Sequence, residues 1–516
     1  MYAYHFAYNF ARSIIAFMRG FMELISTNKK YIKWVEFNNN NFEKLENQTS
    51  KFVINDVFMV PEWQFVNSFA IHELCKFKQC GAATFGSLPR KFSERQMLES
   101  YGSNKHFIVQ LRSLKLIKRH RELFARAVKE IDSKQNLFDF TVDGVHIGID
   151  IYESILRTGL PTVTIDSFVT WHNVFIGLEY FVYFDDLFKR DKVEAMVLSH
   201  ENYIYMGIPS KLGFKYQVPS YFFNPREFLK ITKAYKLNER FSRFPSFFNR
   251  LTEEEKVNAK AWSKEVLNRR LKGEVGAEIA YQLESAFTFD KVPSQVIRNG
   301  KKNVIIATHE FYDNPHGLGG LLFYDFYEWL IYLGEKSKEG KYNWYVKPHR
   351  DVAASEVFQL NKICELYPSL ILLNKDYTFH QLKEEGVDIA LTCYGTIGHE
   401  LPFLGYTVIN AGNNPHMAYH FNIHPKNLQE YHEILSDLDS IKLEFDEEEI
   451  FEFFYTYKKI IYAYDFKIEN YLPGNYQKTN DIYLDFLLGA QAFKIEITEE
   501  LKAFIYSNST YSFLLK

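Results

Sequence analysis

Residues 303–337, NVIIATHEFYDNPHGLGGLLFYDFYEWLIYLGEKS, pass from a short apolar run through a polar, glycine-rich stretch into apolar positions at helical spacing. That pattern predicts a strand, a loop and an amphipathic helix. The pattern then repeats. NWYVKPHRD (343–351) reads as a strand with a cationic tip, and LILLNKD (370–376) as a strand ending at Asp376. YTFHQLKEEG reads as a helix, DIALTCYG as a strand, TIGHELPFLG as a short helix and YTVINAG as a strand. Repeated β-α units predict a parallel sheet with right-handed crossovers.

The first half carries a similar signal. Between Lys51 and Gly86, FVINDVFMV, VNSFAIHELCKFKQC and AATFG predict a β-α-β opening. A helix is expected from about Lys105 to Ile131, where LRSLKLIKRHRELFARAVKEI sets seven Lys/Arg beside apolar positions at helical spacing. KVEAMVLSHENYIYMGIPSKLGFKYQVPSYF reads as a strand, a loop with His200 and Glu201, a helix, and a short strand after Gln217. Leu251 to Phe287 is charged and helical and reads as a connector. The expected organisation is two α/β domains. Residues 1–290 form the first, with an apolar N-terminal helix and the connector; residues 291–516 form the second, with C-terminal helices. Two parallel-sheet domains in tandem imply a cleft between them.

Composition narrows the class. With 47% hydrophobic and 24% charged residues, the 516-residue chain is a folded globular one. A formal charge of −3 speaks against bulk nucleic-acid binding. Cys75, Cys80, Cys364 and Cys393 are scattered, with no CxxC pair, which suits a reducing cytoplasm and offers neither a zinc nor a disulfide framework. No run of 18 apolar residues occurs. The first 26 residues are interrupted by Arg12 and Arg19 and read as an amphipathic helix rather than a signal peptide. Packing on the protein body and peripheral contact with a membrane both fit that helix, and the basic helix near residue 120 fits either solvent or an anionic lipid or glycolipid.

In open parallel sheets, ligands bind beyond the carboxyl ends of the strands, so the loops there are the candidate site. In the second half they carry His309, Glu310, Asp313, His316 and Gly317; Lys347, His349 and Arg350; Tyr394, Gly395, Thr396, His399 and Glu400; and Asn413, Asn414 and His416. A glycine turn opening a helix offers backbone N–H groups to phosphate, as HGLGG (316–320) could, although it is equally good turn chemistry. Lys347, His349 and Arg350 would neutralise a diphosphate or phosphodiester leaving group. Gly395–Thr396 repeats the anion-binding arrangement with Thr396 as the expected cap, and Glu400 suits sugar or ribose hydroxyls. The predicted site is a nucleotide-sugar pocket.

TCYGTIGHELPFLGYTVINAG, followed by NPHMAYHFNIHPKNLQEY, resembles the donor-binding segment of GT-B glycosyltransferases that build bacterial surface polysaccharides: capsule, O-antigen or lipopolysaccharide. NVIIATHEFYDNPHG and NWYVKPHRD look like earlier strand-loop segments of that family, in which His-Pro commonly ends the second, as in bacterial sialyltransferases and capsule Kdo transferases. Here Arg350 stands where the Pro would be. GVHIGIDIYESILRTGLPT and VLSHENYIYMGIPSKLGFKYQVPSY resemble acceptor-domain segments, with Glu153 at the expected acid. The resemblance covers roughly residues 140–220 and 300–435. It implies two Rossmann-like domains facing a cleft, with the donor held by the C-terminal one, the acceptor by the N-terminal one, and no bound metal or cofactor.

Under that resemblance the function is transfer of a sugar from a nucleotide-sugar donor, CMP-linked among the options, to a growing surface glycan or glycolipid at the inner face of the cytoplasmic membrane. Inverting transfer needs a base. Glu153 is favoured over Asp150 and the His200-Glu201 pair, while His309 and Asp313 would orient the donor sugar. Asp185-Asp186 and Asp437-x-Asp439 lie in helical or linker surroundings and do not read as metal-binding pairs. A nucleotide-sugar epimerase, a CDP-polyol phosphotransferase and a non-catalytic assembly scaffold share enough of these features to stand as alternatives.

Overall fold

The computed structural model describes residues 1–23, 29–42, 51–56, 61–87, 92–190, 192–232, 237–274, 287, 291–317, 320–349, 352–412, 415–464, 466, 482–507 and 509–512. Two compact units result. The first comprises Met1–Ser154, Thr164–Tyr235 and Tyr462–Lys516, the second Ile155–Val163 and Lys236–Ile461. The chain therefore does not divide once near residue 290. The helix Ile482–Ser507 belongs to the first unit because Phe493, Ile497, Leu501 and Phe504 complete the apolar cluster around Phe65, Phe69 and Leu74. The expected connector supplies the helix Glu253–Leu271 to the second unit.

The first unit holds β1 (Lys51–Asn55), β2 (Gly81–Gly86), β3 (Ser103–Ile108), the hairpin pair β4 (Thr141–Val142) and β5 (Val145–His146), then β6 (Lys192–Val197), β7 (Ser220–Phe223) and β8 (Phe228–Ile231). Its main sheet runs β3-β2-β1-β6-β7-β8, parallel except for β8 against β7. The stretch from Lys105 to Ile108, expected at the start of a helix, is the end of edge strand β3, and the helix itself is Leu114–Glu130. Ser113 caps that helix by accepting the Leu116 N–H.

The second unit holds β9 (Asn303–Ala307), β10 (Asn343–Lys347), β11 (Leu370–Leu372), β12 (Val387–Thr392) and β13 (Thr407–Asn410), all parallel, in the order β11-β10-β9-β12-β13. Its strands are buried on both faces, which is why they read as continuous apolar runs. Val304 and Ile306 pack with Trp329, Leu330 and Leu333 on one side, Ile305 and Ala307 with Leu382, Leu401 and Tyr406 on the other. In each unit the first strand in the chain sits centrally and the strand order reverses beside it: between β1 and β6, and between β9 and β12. Loops leaving those two strands diverge to opposite faces and leave a crevice at the carboxyl edge.

Candidate functional site

In the second unit the crevice is built from the ends of β9 and β12. His309 follows β9; its Nε2 lies 3.0 Å from Thr392 Oγ1 and accepts the Tyr394 N–H at 3.2 Å. An amide can only donate, so Nε2 carries the lone pair and the neutral ring carries its proton on Nδ1. Burial, reinforced by the charge of His349, pushes the His309 pKa down to about 3. The ring stacks on Phe326 at 5.0 Å and meets Tyr394 at 4.7 Å. Tyr394 OH donates to Asn314 O at 2.9 Å, tying the loop after β12 to the loop after β9. Gly395 has φ +126°, and a Cβ there would approach His309 Cε1 to 3.3 Å, so glycine answers both to the backbone and to the ring.

Cations stand at the neighbouring strand end. Lys347 is buried, with Nζ 5.2 Å above the Phe379 ring and 3.4 Å from Lys375 O, while His349 is exposed two residues on. Asp313 is exposed in the turn after β9, and His316 is half-buried. Gly317 lies under the Asn314 amide, where a Cβ would come within 2.4 Å of Nδ2. Arg350, Asn413 and Asn414 lie outside the described residues.

The rest of the opening motif turns inward. The helix Ile397–Phe403 is short, and its Gly398, His399 and Glu400 N–H groups are bonded to Gly395 O and Thr396 O. Thr396 is itself helical, with φ −64° and ψ −28°, and its hydroxyl makes no cap bond, so the expected capping role is not taken. Glu400 is buried and hydrogen-bonded to the buried Arg270 guanidinium, a partner that satisfies its charge inside the unit rather than toward sugar hydroxyls. His399 Nδ1 and His416 Nε2 are 3.0 Å apart in the interior against Phe453. Burial, together with neighbouring histidine charge, holds both pKa values well below the ordinary range, so neither presents positive charge. The edge thus brings together His309, Lys347, His349, Tyr394 and Gly395, and withdraws His399, Glu400 and His416.

In the first unit Glu153 is buried on the helix Gly148–Leu156, one turn from Asp150. Ser154 Oγ accepts the Ile204 N–H at 2.8 Å, fixing this helix to the segment that follows β6. Asp150 accepts from Lys211 Nζ at 2.7 Å and presses on Gly207, where a Cβ would fall 2.0 Å from Oδ1. Burial raises the Asp150 pKa to about 7, Lys211 opposes the rise, and Glu153 adds to it.

Asp185 is a structural carboxylate. Burial would raise its pKa, but hydrogen bonds from Lys189, Tyr216 and Arg119 hold it down at about 2. Asp437 and Asp439 are exposed beside Lys341. Among the described residues no cluster of three or more His, Cys, Asp or Glu side chains could hold a metal ion. Thr392, Asn314 and Phe326 complete the crevice without having been singled out from the sequence. Glu356 is also buried near this edge, its pKa raised to about 7 by burial and by the charge of Glu310, and nothing in the local sequence marks it.

No family model and no curated protein matches the chain. Solved structures with some likeness include a β-Kdo 2,4-transferase, KpsC, of Thermosulfurimonas dismutans: 13% identity over 52% of this chain and 85% of that one, TM-score 0.31. A UDP-GlcNAc 2-epimerase from Neisseria meningitidis, bound to UDP-GlcNAc, shows 13% identity over 87% and 99%, TM-score 0.23. A glycosyltransferase from Rickettsia africae shows 10% identity over 89% and 99%, TM-score 0.26. Likenesses this weak carry no weight for a shared activity; the two parallel α/β units stand on their own strand order.

Proposed function

We propose that this chain is a glycosyltransferase of GT-B type that moves a sugar from a nucleotide-sugar donor to a growing bacterial surface glycan or glycolipid. The observation that carries the reading is the crevice at the reversal of strand order in the second unit. There a neutral His309 with its proton on Nδ1, the left-handed Gly395 and the Lys347/His349 strand end converge.

The reading assigns the donor phosphate to Lys347 and His349, with Arg350 a further cation in the same strand-end sequence. His309 Nδ1–H and the Tyr394–Gly395 backbone would contact the donor near its leaving oxygen, where charge grows as the glycosidic bond breaks. The reading keeps Asp313 and His316, on the loop after β9, as residues that orient the donor sugar. The first unit holds the acceptor near the Asp150–Glu153 carboxyl pair.

The reading places the protein in the cytoplasm at the inner face of the membrane. Supporting that placement, Tyr4, Phe6, Tyr8 and Phe10 are exposed on the helix Tyr2–Glu23, although among the described residues no helix is long and apolar enough to cross a membrane.

The test is thermal shift of the full chain with CMP, CDP, UDP and GDP, each beside its nucleotide sugar. One nucleotide is expected to raise the melting temperature by mass action. His349→Ala should weaken that nucleotide by about 1 to 2 kcal/mol, roughly tenfold, because it removes one charged contact at an exposed position. No shift with any of the four in a folded protein sinks the reading.

A further inference from the structure

Cys75 and Cys80 are five positions apart, too far for a CxxC pair, and the end of one helix brings them together. The helix Pro61–Lys78 stops in a Schellman cap in the first unit. Cys80 N–H donates to Cys75 O at 3.1 Å, Gln79 N–H donates to Lys76 O at 3.3 Å, and Gln79 takes a left-handed φ of +51°. In this cap the two residues joined by the longer-range bond, here Cys75 and Cys80, turn their side chains onto each other. Both are free thiols in the apolar cluster of Phe65, Phe69 and Leu74, and the Cys75 thiol donates a hydrogen bond to the Cys80 sulfur.

That bond divides their roles. It holds the Cys80 pKa below the ordinary thiol value despite burial, with the Val53 backbone and the charge of Lys78 adding to the fall and Glu194 opposing it. The same bond, together with burial, pushes the Cys75 thiol up. Cys80, at 5% exposure against 1% for Cys75, is also the sulfur nearer to solvent. In the second unit burial raises Cys393 well above the ordinary value and Cys364 to about 11, so neither offers a thiolate at neutral pH.

The geometry points to a modification site: Cys75 and Cys80 form a reversible disulfide on exposure to a peroxide, with Cys80 as the attacking thiolate and Cys75 as the resolving thiol. The Cys80 sulfur attacks one peroxide oxygen, the O–O bond breaks, and the other oxygen takes up a proton and leaves as water. The Cys75 sulfur then attacks the sulfenic sulfur of Cys80, the S–O bond breaks, and the hydroxide leaves as water with the Cys75 proton. Two thiols and one peroxide thus give one disulfide and two waters, each sulfur losing one electron and the peroxide gaining two. The product ties the end of the helix Pro61–Lys78 to the start of β2. In a reducing compartment the link opens again by thiol exchange, so the pair senses oxidants rather than staples the fold. The inference is independent of the transferase reading.

The test uses the full chain, reduced and freed of reductant, with hydrogen peroxide as the probe. Alkylation in denaturant is expected to label all four cysteines before treatment and two after it, and reduced glutathione to restore the four. The intact mass of the treated protein should fall by two hydrogens. Trypsin, cutting after Lys76 and Lys78, should release the peptide 52–76 joined to the peptide 79–90, with Cys364 and Cys393 still reduced. Cys75→Ala removes the resolving thiol and is expected to leave a sulfenic acid on Cys80, captured by dimedone about tenfold more than in the wild type. Four thiols recovered from the treated, folded wild type overturn the proposal, and so does a Cys75–Cys80 link that forms only after unfolding. Oxidation of Cys364 or Cys393 ahead of the pair overturns it as well, because the cap would then confer no selectivity. Cys80 found as sulfinic acid beside a reduced Cys75 overturns the resolving role. The wild-type measurements decide even where the variant does not fold.

Discussion

Where strand order reverses in the first unit, a carboxylate, a hydroxyl and an imidazole stand in series: Asp56, Ser199 and His200. At the same place in the second unit a hydroxyl and an imidazole, Thr392 and His309, close on the backbone of Tyr394 instead. Topology fixes where each imidazole lies, after the first or the fourth strand of a doubly wound sheet. The neighbour at the next hydrogen bond fixes what it can do. With a carboxylate behind the hydroxyl, the ring must donate through Nδ1. With a backbone N–H in its place, Nε2 is consumed and only the opposite N–H can meet a ligand.

The same contrast runs through the buried ion pairs and gives the largest expected effect. Arg270 and Glu400 are both buried, so Arg270→Met strands a carboxylate inside the second unit and is expected to cost about 3 to 5 kcal/mol. Asp150 pairs with a partly exposed Lys211 and already has a pKa near about 7. Lys211→Met lets Asp150 take up a proton at neutral pH, and the expected loss is about 1 kcal/mol, close to that of one hydrogen bond. Denaturant unfolding at pH 7 measures both. Equal losses would mean that the two carboxylates sit in equivalent settings.

Acidification should separate the units next. A histidine whose folded pKa is depressed contributes stability that is complete above its unfolded value of about 6.5 and is lost as pH falls toward the folded value. A carboxyl whose folded pKa is raised contributes stability below its unfolded value of about 4 and loses it as pH rises through about 7. In the second unit His309 is held at about 3 and His424 at about 4, both mainly by burial, and His399 and His416 well below their ordinary value; Glu356 and Glu452, raised by burial, oppose them. In the first unit, lowered His5, His120 and His146 face raised Asp150 and Glu179. Going from pH 7 to 5 should therefore weaken the second unit, with His309 and His424 each giving up about 1 to 2 kcal/mol, and leave the first nearly level. Hydrogen exchange, corrected for its intrinsic pH dependence, should show protection falling in β9, β10 and β12 before β1, β2 and β6. Uniform loss would remove the difference.

These contrasts also mark what the chain discloses as a sequence. Strand-loop-helix repeats gave both parallel sheets because strands buried on two faces leave continuous apolar runs. Edge strand β3, SNKHFI, exposes Asn104 and Lys105, and its stretch from Lys105 onward reads as the start of the helix that follows. The motif GTIGHE looks like a ligand loop because glycine and polar residues cluster there. Its Glu400 is claimed by Arg270, 130 positions earlier, and its His399 by His416, and no local pattern reports such pairings. Asp56 and Ser199 are separated by 143 positions, so His200 could be named as a candidate base but its tautomer could not be read before β1 and β6 were set side by side. The helix Ile482–Ser507 states only that it is apolar, not which sheet it covers.

The smallest expected effect tests the comparison most directly. Thr392→Val keeps the shape of the side chain and removes a hydroxyl that lies 3.0 Å from His309 Nε2 and donates toward Tyr394 O at 3.2 Å. Its loss should cost about 0.5 to 1.5 kcal/mol of stability, the net value of one such bond. It should not move the His309 proton, because the Tyr394 N–H still occupies Nε2 and still forces the hydrogen onto Nδ1. Ser199→Ala, its counterpart in the first unit, removes the hydroxyl that links Asp56 to His200 Nδ1. The paired measurement is the ring nitrogen spectrum of both variants beside their unfolding curves. If Thr392→Val shifts the His309 proton as readily as Ser199→Ala shifts that of His200, then the hydroxyl and not the backbone amide governs the second ring, and the two crevices work by one device rather than two.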